Sequence, residues 1–244
     1  MRIAISGSAC QGKTTLVNDM LKEWPLYSKS IESHRKLVRD GNIPVNKMAT
    51  KDGQWAILNA LADDLKNTRK GDKVIFDRCP IDNLVYSMWA EDKKSSDIDK
   101  EFISKCIPIV AEAMRHVDIL FFIPITNVAP VKVEQKEGRD IDPEYITEID
   151  NIFKAIEYQQ YKKVCPFFIR DDQPPILELY GNRVERIQLA KQYLDVDGDL
   201  IDTQQSVLSH ENIQIAEQLV REQVDAHIDE KKIAELANLI IRPK

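Results

Sequence analysis

The sequence predicts an α/β fold in which a parallel sheet is covered by helices on both faces, giving three layers. Two observations support this prediction. Short, almost wholly apolar runs, typical of buried parallel strands, alternate with longer stretches whose apolar residues recur at helical spacing. In addition, a glycine-rich motif at residues 7–14 follows the first apolar run and leads into the first helical stretch.

The predicted strands are short, and most of them end at a proline, a glycine or a charged residue. The first strand is the apolar run at residues 3–5, and residues 28–31 are a candidate second strand. Three further buried strands are predicted at residues 73–77, 118–124 and 175–181. Ligands bind at the carboxyl ends of the strands in such sheets, so residues that follow these runs are candidates for a functional site.

Helical patterns fill the intervals between the strands. The first helix is stopped by Pro25, and Asp142-Pro143 is a typical cap followed by a first helical turn. Residues 52–69 carry an apolar stripe made of Trp55, Ile57, Leu58, Leu61 and Leu65. Other helices are predicted around His34, Arg35 and Arg39, and at residues 81–89, 98–116 and 184–194.

The chain divides into a core domain at residues 1–193 and a C-terminal helical appendage at residues 194–244. Two amphipathic helices predicted in the appendage pack either on the core or on a second copy in a homodimer. We expect no membrane span and no signal peptide. The cysteines are scattered without metal-ligand spacing, which favours reduced thiols and a cytoplasmic location; they are Cys10, Cys79, Cys106 and Cys165.

Residues 7–14 form a complete G-x-x-x-x-G-K-[ST] phosphate loop. Its glycines let the backbone curl so that successive N–H groups face phosphate oxygens. We expect Lys13 to reach the β- and γ-phosphates of ATP and the Thr14 hydroxyl to ligate Mg²⁺. The predicted ATP-binding residues are Gly7, Ser8, Ala9, Cys10, Gln11, Gly12, Lys13, Thr14 and Thr15.

A second motif, Asp77-Arg78, ends the predicted strand at residues 73–77. ATP-driven motors generally have a glutamate directly after this aspartate to polarise the attacking water, and here that position is Arg78. The Asn-Lys-x-Asp element of GTPases is also missing from the sequence. The net charge of −6 argues against a broad duplex-binding face, although it is compatible with nucleic acid held at one nucleotide.

The Asp77-Arg78 pair resembles the Asp-Arg or Glu-Arg pair of P-loop nucleoside and nucleotide kinases, which lies beside the phosphate-accepting hydroxyl. The continuation to Tyr86, and Ile-Leu-Glu-Leu-Tyr-Gly-Asn-Arg-Val-Glu-Arg at residues 176–186, are similar to the ribosylnicotinamide-kinase-like branch. The opening motif with Glu-Trp-Pro at residues 23–25 looks most like phage kinases, some of which phosphorylate 5-hydroxymethyluracil in DNA. The resemblance spans about residues 1–193 and implies a P-loop kinase fold.

The resemblance also implies roles for particular residues. Lys13, Asp77, Arg78 and Arg139 are the expected catalytic residues, and Arg139 lies in a segment, about residues 131–142, where related kinases have a lid. Asp77 either helps Thr14 to hold Mg²⁺ or takes the proton of the acceptor hydroxyl. The expected acceptor-binding residues are Arg35, Gln54, Asp82 and Tyr86.

The sequence therefore predicts an ATP- and Mg²⁺-dependent kinase that acts on a hydroxyl of a nucleoside, nucleotide or modified base. The resemblance favours a 5-hydroxymethyl-pyrimidine in DNA as acceptor, and the negative charge favours a free deoxynucleoside or deoxynucleotide. A different class of protein, a nucleotide-gated ATPase or binding protein, is the remaining alternative.

Overall fold

The computed structural model describes residues 1–127, 142–169 and 172–201. The strands are β1 Arg2–Ser6, β2 Ser28–Lys29, β3 Val74–Asp77, β4 Ile119–Phe122 and β5 Ile176–Glu178. The helices are α1 Lys13–Glu23, α2 Ser33–Asp40, α3 Lys51–Lys66, α4 Pro80–Lys93, α5 Lys100–Met114, α6 Pro143–Tyr161 and α7 Arg183–Ala190, with a short 3-10 helix at Asn46–Met48. Strands and helices thus alternate along the described chain, as the sequence predicts.

The described strands form one parallel sheet with the order β2-β3-β1-β4-β5. Strand β1 lies in the middle, and its Ile5 pairs with Asp77 at the end of β3. This register brings the loop that follows Ser6 to the same edge of the sheet as the end of β3. The sheet topology therefore places both sequence motifs side by side.

The two faces of the sheet are covered by different helices, which produces the three layers. Successive residues of β1 belong to opposite faces: Ala4 belongs to one apolar cluster, and Ile3 and Ile5 belong to the other. Residues of α3, α4, α5 and α6 complete the first cluster, and residues of α1 and α7 complete the second. All three β1 residues are fully buried, so the strand before the phosphate loop is a rigid support.

Two helix boundaries follow the local chemistry that the sequence displays. The Asp142 carboxylate accepts hydrogen bonds from the backbone N–H groups of Glu144 and Tyr145, and Pro143 is the first residue of α6. Helix α1 ends at Glu23, two residues before Pro25. Both boundaries agree with the sequence-based expectation because caps and prolines act locally.

The apolar stripe of α3 differs from the prediction at one residue. Trp55 is 40% exposed, whereas Leu58, Leu61 and Leu65 are buried. Trp55 lies at the edge of the stripe and contacts the Phe102 ring edge-on, with the ring centroids 6.2 Å apart. Helical spacing identified the correct face of α3, and the neighbouring helix decided how far the stripe extends.

The segment after α7 returns to the end of α1. Trp24 Nε1 donates a hydrogen bond of 2.8 Å to the Asp195 carbonyl. The Tyr27 hydroxyl donates to the Gly198 carbonyl at 2.6 Å. These bonds tie residues 195–198 to the layer that covers one face of the sheet.

Internal contacts divide the chain into two compact units, Met1–Asp199 and Leu200–Lys244. The domain boundary after residue 193 and the two C-terminal helices stay predictions, because residues 202–244 lie outside the described part of the chain. Within the described ranges, no helix is both long enough and apolar enough to span a bilayer. The cysteines are free thiols, and three of them are buried.

Candidate functional site

The phosphate-loop motif forms the connection between β1 and α1. Its backbone adopts positive φ angles at Gly7 (+144°), Cys10 (+62°) and Gly12 (+82°). Such turns gather successive N–H groups into a concave anion-binding nest. The N-cap residue of α1 is Gly12, which has no side chain to cap the first turn, so the N–H groups of that turn are available to an anion. The predicted ATP-binding residues 7–15 all lie on this loop and the first turn of α1.

The side chain of Lys13 is buried against its own loop. Lys13 Nζ donates to the carbonyl oxygens of Gly7 and Ser8, both at 2.6 Å, and the residue is only 6% exposed. Burial, reinforced by the charge of Arg78, lowers the pKa of Lys13 to about 7. A buried ammonium group whose hydrogen bonds go to neutral carbonyls is costly, so an anion in the loop would stabilise it.

Thr14 and Asp77 meet across the edge of the sheet. Thr14 Oγ1 donates to Asp77 Oδ2 at 2.5 Å. Arg35 Nη2 lies 2.6 Å from the same carboxylate oxygen and 3.2 Å from the Thr14 hydroxyl. The Asp77 side chain is almost fully buried, whereas that of Arg35 is nearly half exposed. Arg35 therefore lies at the phosphate side of the site, beside the loop.

The Thr14 and Asp77 oxygens fit a Mg²⁺ site of the kind that P-loop proteins use. Mg²⁺ is usually held by one or two protein oxygens, together with substrate phosphates and water. A hydroxyl and a carboxylate oxygen converge here, next to the loop that would hold the phosphates. Arg35 pairs with the same Asp77 oxygen at 2.6 Å, so a positively charged group already lies at this position. The described residues contain no group of three or more His, Cys, Asp or Glu side chains suited to a metal ion.

Arg78, Asp82 and Tyr86 lie together behind the end of β3. Arg78 has a φ of +91°, a strained angle for a residue with a side chain. Its guanidinium lies 5.6 Å from the centre of the Tyr86 ring, and Nη1 is 3.8 Å from Asp82 Oδ1. The strained backbone turns the Arg78 side chain toward these two residues of α4.

The Asp82 carboxylate also has a structural role. Its Oδ2 accepts hydrogen bonds from Ser6 Oγ at 2.5 Å and from the Cys79 N–H at 3.0 Å, which caps α4. Burial raises the pKa of Asp82, against the opposing charges of Arg78 and Lys13. Its other oxygen, Oδ1, has no hydrogen-bond partner among the described residues. Asp82 thus links the end of β1 to the start of α4, with one oxygen left on the Arg78 side.

Gln54, the predicted acceptor-binding residue of α3, is 4% exposed and pairs with Asn83 of α4. Asn83 Nδ2 donates to Gln54 Oε1 at 2.5 Å and to the Gln54 carbonyl at 3.1 Å. The carbonyl oxygen of the Asn83 side chain is buried without a partner in the described part of the chain. Sequence reasoning missed Asn83, although it immediately follows Asp82 in the motif that begins at Asp77.

His34 of α2 is a second residue that sequence reasoning placed only in a charged helix. The residue is 6% exposed, and neither ring nitrogen has a hydrogen-bond partner among the described residues. Burial, with the charges of Arg78 and Arg35 adding to it, lowers the pKa of His34 to about 4. The imidazole is therefore neutral at pH 7, with one donor and one acceptor unused. No pattern in the sequence indicated this burial.

The predicted lid lies almost wholly outside the described residues. Arg139 and residues 131–141 belong to that part, so the lid and the role of Arg139 stay predictions. The last residue of the predicted segment, Asp142, caps α6 and forms an ion pair of 2.5 Å with Lys47.

The close approach of the loop to β4 gives a first testable prediction. A Cβ atom on Gly7 would lie 2.7 Å from the Ile123 carbonyl oxygen. We expect Gly7→Ala to lower the free energy of unfolding by about 1–3 kcal/mol, measured by chemical denaturation. Gly71→Ala is the matched control, since Gly71 has a φ of +100° but nothing within 4 Å of its Cβ position. Equal losses in the two variants would show that the contact with Ile123 is unimportant.

Comparison with known proteins agrees with this geometry. A protein-family model described as an AAA domain matches residues 2–165. No curated protein matches the sequence significantly. The solved structures that it resembles are distant in sequence, so they bear on the fold alone.

Two of these structures show the extent of the likeness. The chain is similar to NadR protein in complex with NR, with a TM-score of 0.56 and 18% identity over 82% of this chain and 53% of that one. It thus spans about half the length of the NadR chain. It is also similar to deoxyadenosine kinase from M. mycoides with dCMP and dCDP bound, with a TM-score of 0.56 and 17% identity over 78% of this chain and 96% of that one.

The family match covers well over half of the chain and includes β1, the phosphate loop, β3 and β4. On the family match, the chain belongs to the AAA domain family of P-loop proteins.

Proposed function

We propose that this protein is an ATP- and Mg²⁺-dependent phosphotransferase that moves the γ-phosphate of ATP to a hydroxyl of a nucleoside, a nucleotide or a modified base. One observation carries the proposal. The phosphate loop and the Thr14–Asp77 pair share one edge of the sheet with Arg78, which adjoins buried polar side chains of α2 and α4. The part of the site that is suited to binding phosphate thus lies next to the part that is able to recognise an acceptor.

The first half of the site would hold the donor. The loop N–H groups and Lys13 Nζ bind the β- and γ-phosphates, and Thr14 and Asp77 hold Mg²⁺ directly or through water. When bound, Mg²⁺ neutralises charge on the phosphate oxygens. The hydrogen bond from Thr14 to Asp77 favours metal binding as the role of Asp77, because the carboxylate is aimed at the loop.

The transfer itself needs positioning and charge more than covalent help. Arg78 stabilises the transferring phosphoryl group or an acceptor phosphate, because Tyr86 and Asp82 hold its guanidinium in place. The residue after Asp77 is this arginine instead of a glutamate, so no carboxylate is available there to polarise an attacking water. This arrangement favours an alcohol over water as the acceptor.

The second half of the site has the chemistry of nucleoside recognition. Neutral His34, the Gln54–Asn83 pair and Tyr86 offer buried donors and acceptors on α2, α3 and α4. Buried amides and a neutral imidazole are suited to the polar edge of a base or to a sugar hydroxyl, because unpaired buried groups reject ligands that leave them unsatisfied. The likeness in fold to deoxyadenosine kinase supports this acceptor class.

Within this class, the sequence resemblance supports a 5-hydroxymethyl-pyrimidine in DNA as the acceptor. The test is incubation of the purified protein with radiolabelled ATP and Mg²⁺, with nucleosides, deoxynucleotides or DNA that contains 5-hydroxymethyluracil. We expect label to enter the modified DNA. Label in a free nucleoside or nucleotide would assign that substrate instead. Rapid ADP release without any labelled acceptor would favour the nucleotide-gated ATPase and contradict the kinase.

Gln54→Glu tests the acceptor pocket without removing the bond to Asn83. A glutamate oxygen still accepts from Asn83 Nδ2, but the variant loses the amide donor. We expect the KM for the phosphate acceptor to rise by about tenfold or more. The reason is that one hydrogen bond to the substrate is lost, and a carboxylate oxygen takes the place of the N–H donor. The KM for ATP should change less than about twofold.

The control for this change is Gln159→Glu, an identical substitution at an exposed residue of α6. It should leave both KM values as they are in the wild type. Equal rises in the KM for ATP and for the acceptor in Gln54→Glu would contradict a role confined to the acceptor.

A further inference from the structure

Arg186 of α7 is a buried cation that touches the phosphate loop from behind. The residue is 6% exposed, and Nη1 donates a hydrogen bond of 2.7 Å to the carbonyl oxygen of Gln11. The same nitrogen lies 3.2 Å from the position that a Cβ on Gly12 would occupy. A guanidinium therefore packs directly on the last peptide of the loop before α1.

This guanidinium has no carboxylate partner among the described residues. Within the described ranges, no ion pair involves Arg186, and its Nε is buried without a hydrogen-bond partner. Burial lowers the pKa of Arg186, and no neighbouring charge offsets that effect. A buried charge without a counter-ion destabilises a folded protein, so Arg186 lowers the stability of the ligand-free state.

Arg183, one turn earlier on the same helix, shows the ordinary arrangement. Its Nη2 pairs with Asp19 of α1 at 2.6 Å, and its side chain is 66% exposed. Arg183 already ties α7 to α1, so a second arginine is not needed for that purpose. The unusual feature of Arg186 is that its contact is made with the backbone of the loop.

Because the peptide bond is planar, the contact of Arg186 with the Gln11 carbonyl also orients the N–H group of Gly12. The C=O and N–H groups of a trans peptide point in opposite directions. The Gln11 carbonyl points toward Arg186, so the N–H of Gly12, which belongs to the same peptide, points away from it. Arg186 thus fixes the Gly12 N–H on the opposite side of the peptide from the guanidinium.

We propose that Arg186 is a positioning residue of the phosphate loop, which orients the Gly12 N–H toward the bound phosphates and adds a buried positive charge behind them. The inference rests on the proposed function in one respect, namely that the loop binds nucleotide phosphates. It adds a residue of α7 to the phosphate-binding half of the site, whose other residues come from β1, α1, α2 and β3 and the loops that follow the strands. The phosphates would supply the counter-charge that Arg186 lacks among the residues that the structure describes.

The test compares Arg186→Met, Arg186→Lys and the matched control Arg183→Met. Dissociation constants are measured by calorimetry for MgATP and for magnesium tripolyphosphate, which has the phosphates without the nucleoside. The melting temperature of the ligand-free protein is measured in parallel. For Arg186→Met we expect both dissociation constants to rise by about tenfold or more, the scale of one lost hydrogen bond to a charged group.

A purely structural residue would behave differently. Because Arg186→Met removes an uncompensated buried charge, the melting temperature of the ligand-free protein should stay the same or rise. Arg186→Lys keeps the charge but loses the planar guanidinium, so it should lose less affinity than Arg186→Met. Arg183→Met should bind both ligands like the wild type.

Two results would overturn the inference. One is that Arg186→Met binds MgATP and magnesium tripolyphosphate with the affinity of the wild type. If the methionine variant does not fold, the same result in Arg186→Lys, namely wild-type affinity for both ligands, would overturn the inference. The other is a loss of affinity accompanied by a lower melting temperature than that of Arg183→Met. Wild-type protein that binds MgATP but transfers no phosphate would refute the kinase and leave this test valid. Wild-type protein that binds neither ligand would refute both.

Discussion

Replacing Lys13 with alanine is expected to lower the rate of phosphoryl transfer by about 100-fold or more, the scale of losing one preorganised charge-stabilising donor. The physical reason is that Lys13 Nζ is already held under the loop, 2.6 Å from two of its carbonyls. Negative charge that develops on the γ-phosphate during transfer would be stabilised by an ammonium group that is shielded from water. The measurement is kcat/KM for ATP in the transfer assay, compared with the wild type.

The control is Lys22→Ala, since Lys22 is an exposed lysine on the same helix. It should retain wild-type activity, because it lies on the solvent side of α1. The Lys13 variant should also keep its fold, since it removes a buried charge whose hydrogen bonds go only to neutral carbonyls. Near-normal transfer by a folded Lys13→Ala variant would be incompatible with the assigned role.

Asp77→Asn is expected to reduce transfer below detection and to weaken the binding of MgATP. The carboxylate oxygen that accepts the Thr14 hydroxyl is the oxygen proposed to hold Mg²⁺, and an amide is a much weaker ligand for a hard cation. The measurement is the dissociation constant of ATP with Mg²⁺ and with EDTA. We expect at least about a tenfold loss with Mg²⁺, and a smaller loss with EDTA.

Asp63→Asn, an identical change at an exposed residue of α3, is the matched control and should behave like the wild type. The opposite pattern has a clear meaning. If Asp77→Asn abolishes transfer while MgATP binds with wild-type affinity, Asp77 is the base that takes the acceptor's proton. In that case the metal would be held without Asp77.

The elements of the fold were predictable because their signals are local. Apolar runs predicted β1, β3 and β4, and the Asp142-Pro143 pair predicted the start of α6. The weakest pattern predicted four strand residues at 28–31, and β2 contains two. A short edge strand has few buried residues, so its limits depend more on its neighbour than on its own sequence.

The donor half of the candidate site was predictable for the same reason. The phosphate loop is contiguous in sequence, and Asp77 ends a recognisable strand. Their meeting follows from parallel pairing of β1 with β3, with Ile5 beside Asp77. The phosphate-loop motif and the parallel sheet were therefore sufficient to identify Lys13, Thr14 and Asp77 as neighbours. Their functional roles stay predictions until the variants are measured.

His34, Asn83 and Arg186 could not be found in this way. Each is one polar residue on an amphipathic helix, where its spacing indicates solvent as readily as a buried site. Arg186 lies 175 residues from Gln11 along the chain, and its contact arises because α7 packs beside α1. Burial leaves this arginine in contact with the loop backbone and without a carboxylate partner in the described part of the chain.

The sequence alone determined the alternation of strands and helices, the phosphate loop and the acidic residue that faces it, because these depend on neighbours within a few positions. Only the tertiary structure decided that Arg35 meets Asp77, that Gln54 pairs with Asn83, and that Arg186 donates a hydrogen bond to the backbone of the loop. The physical reason is desolvation. Whether a polar side chain becomes part of a site depends on which distant surfaces exclude water from it, and that is a property of the packed fold.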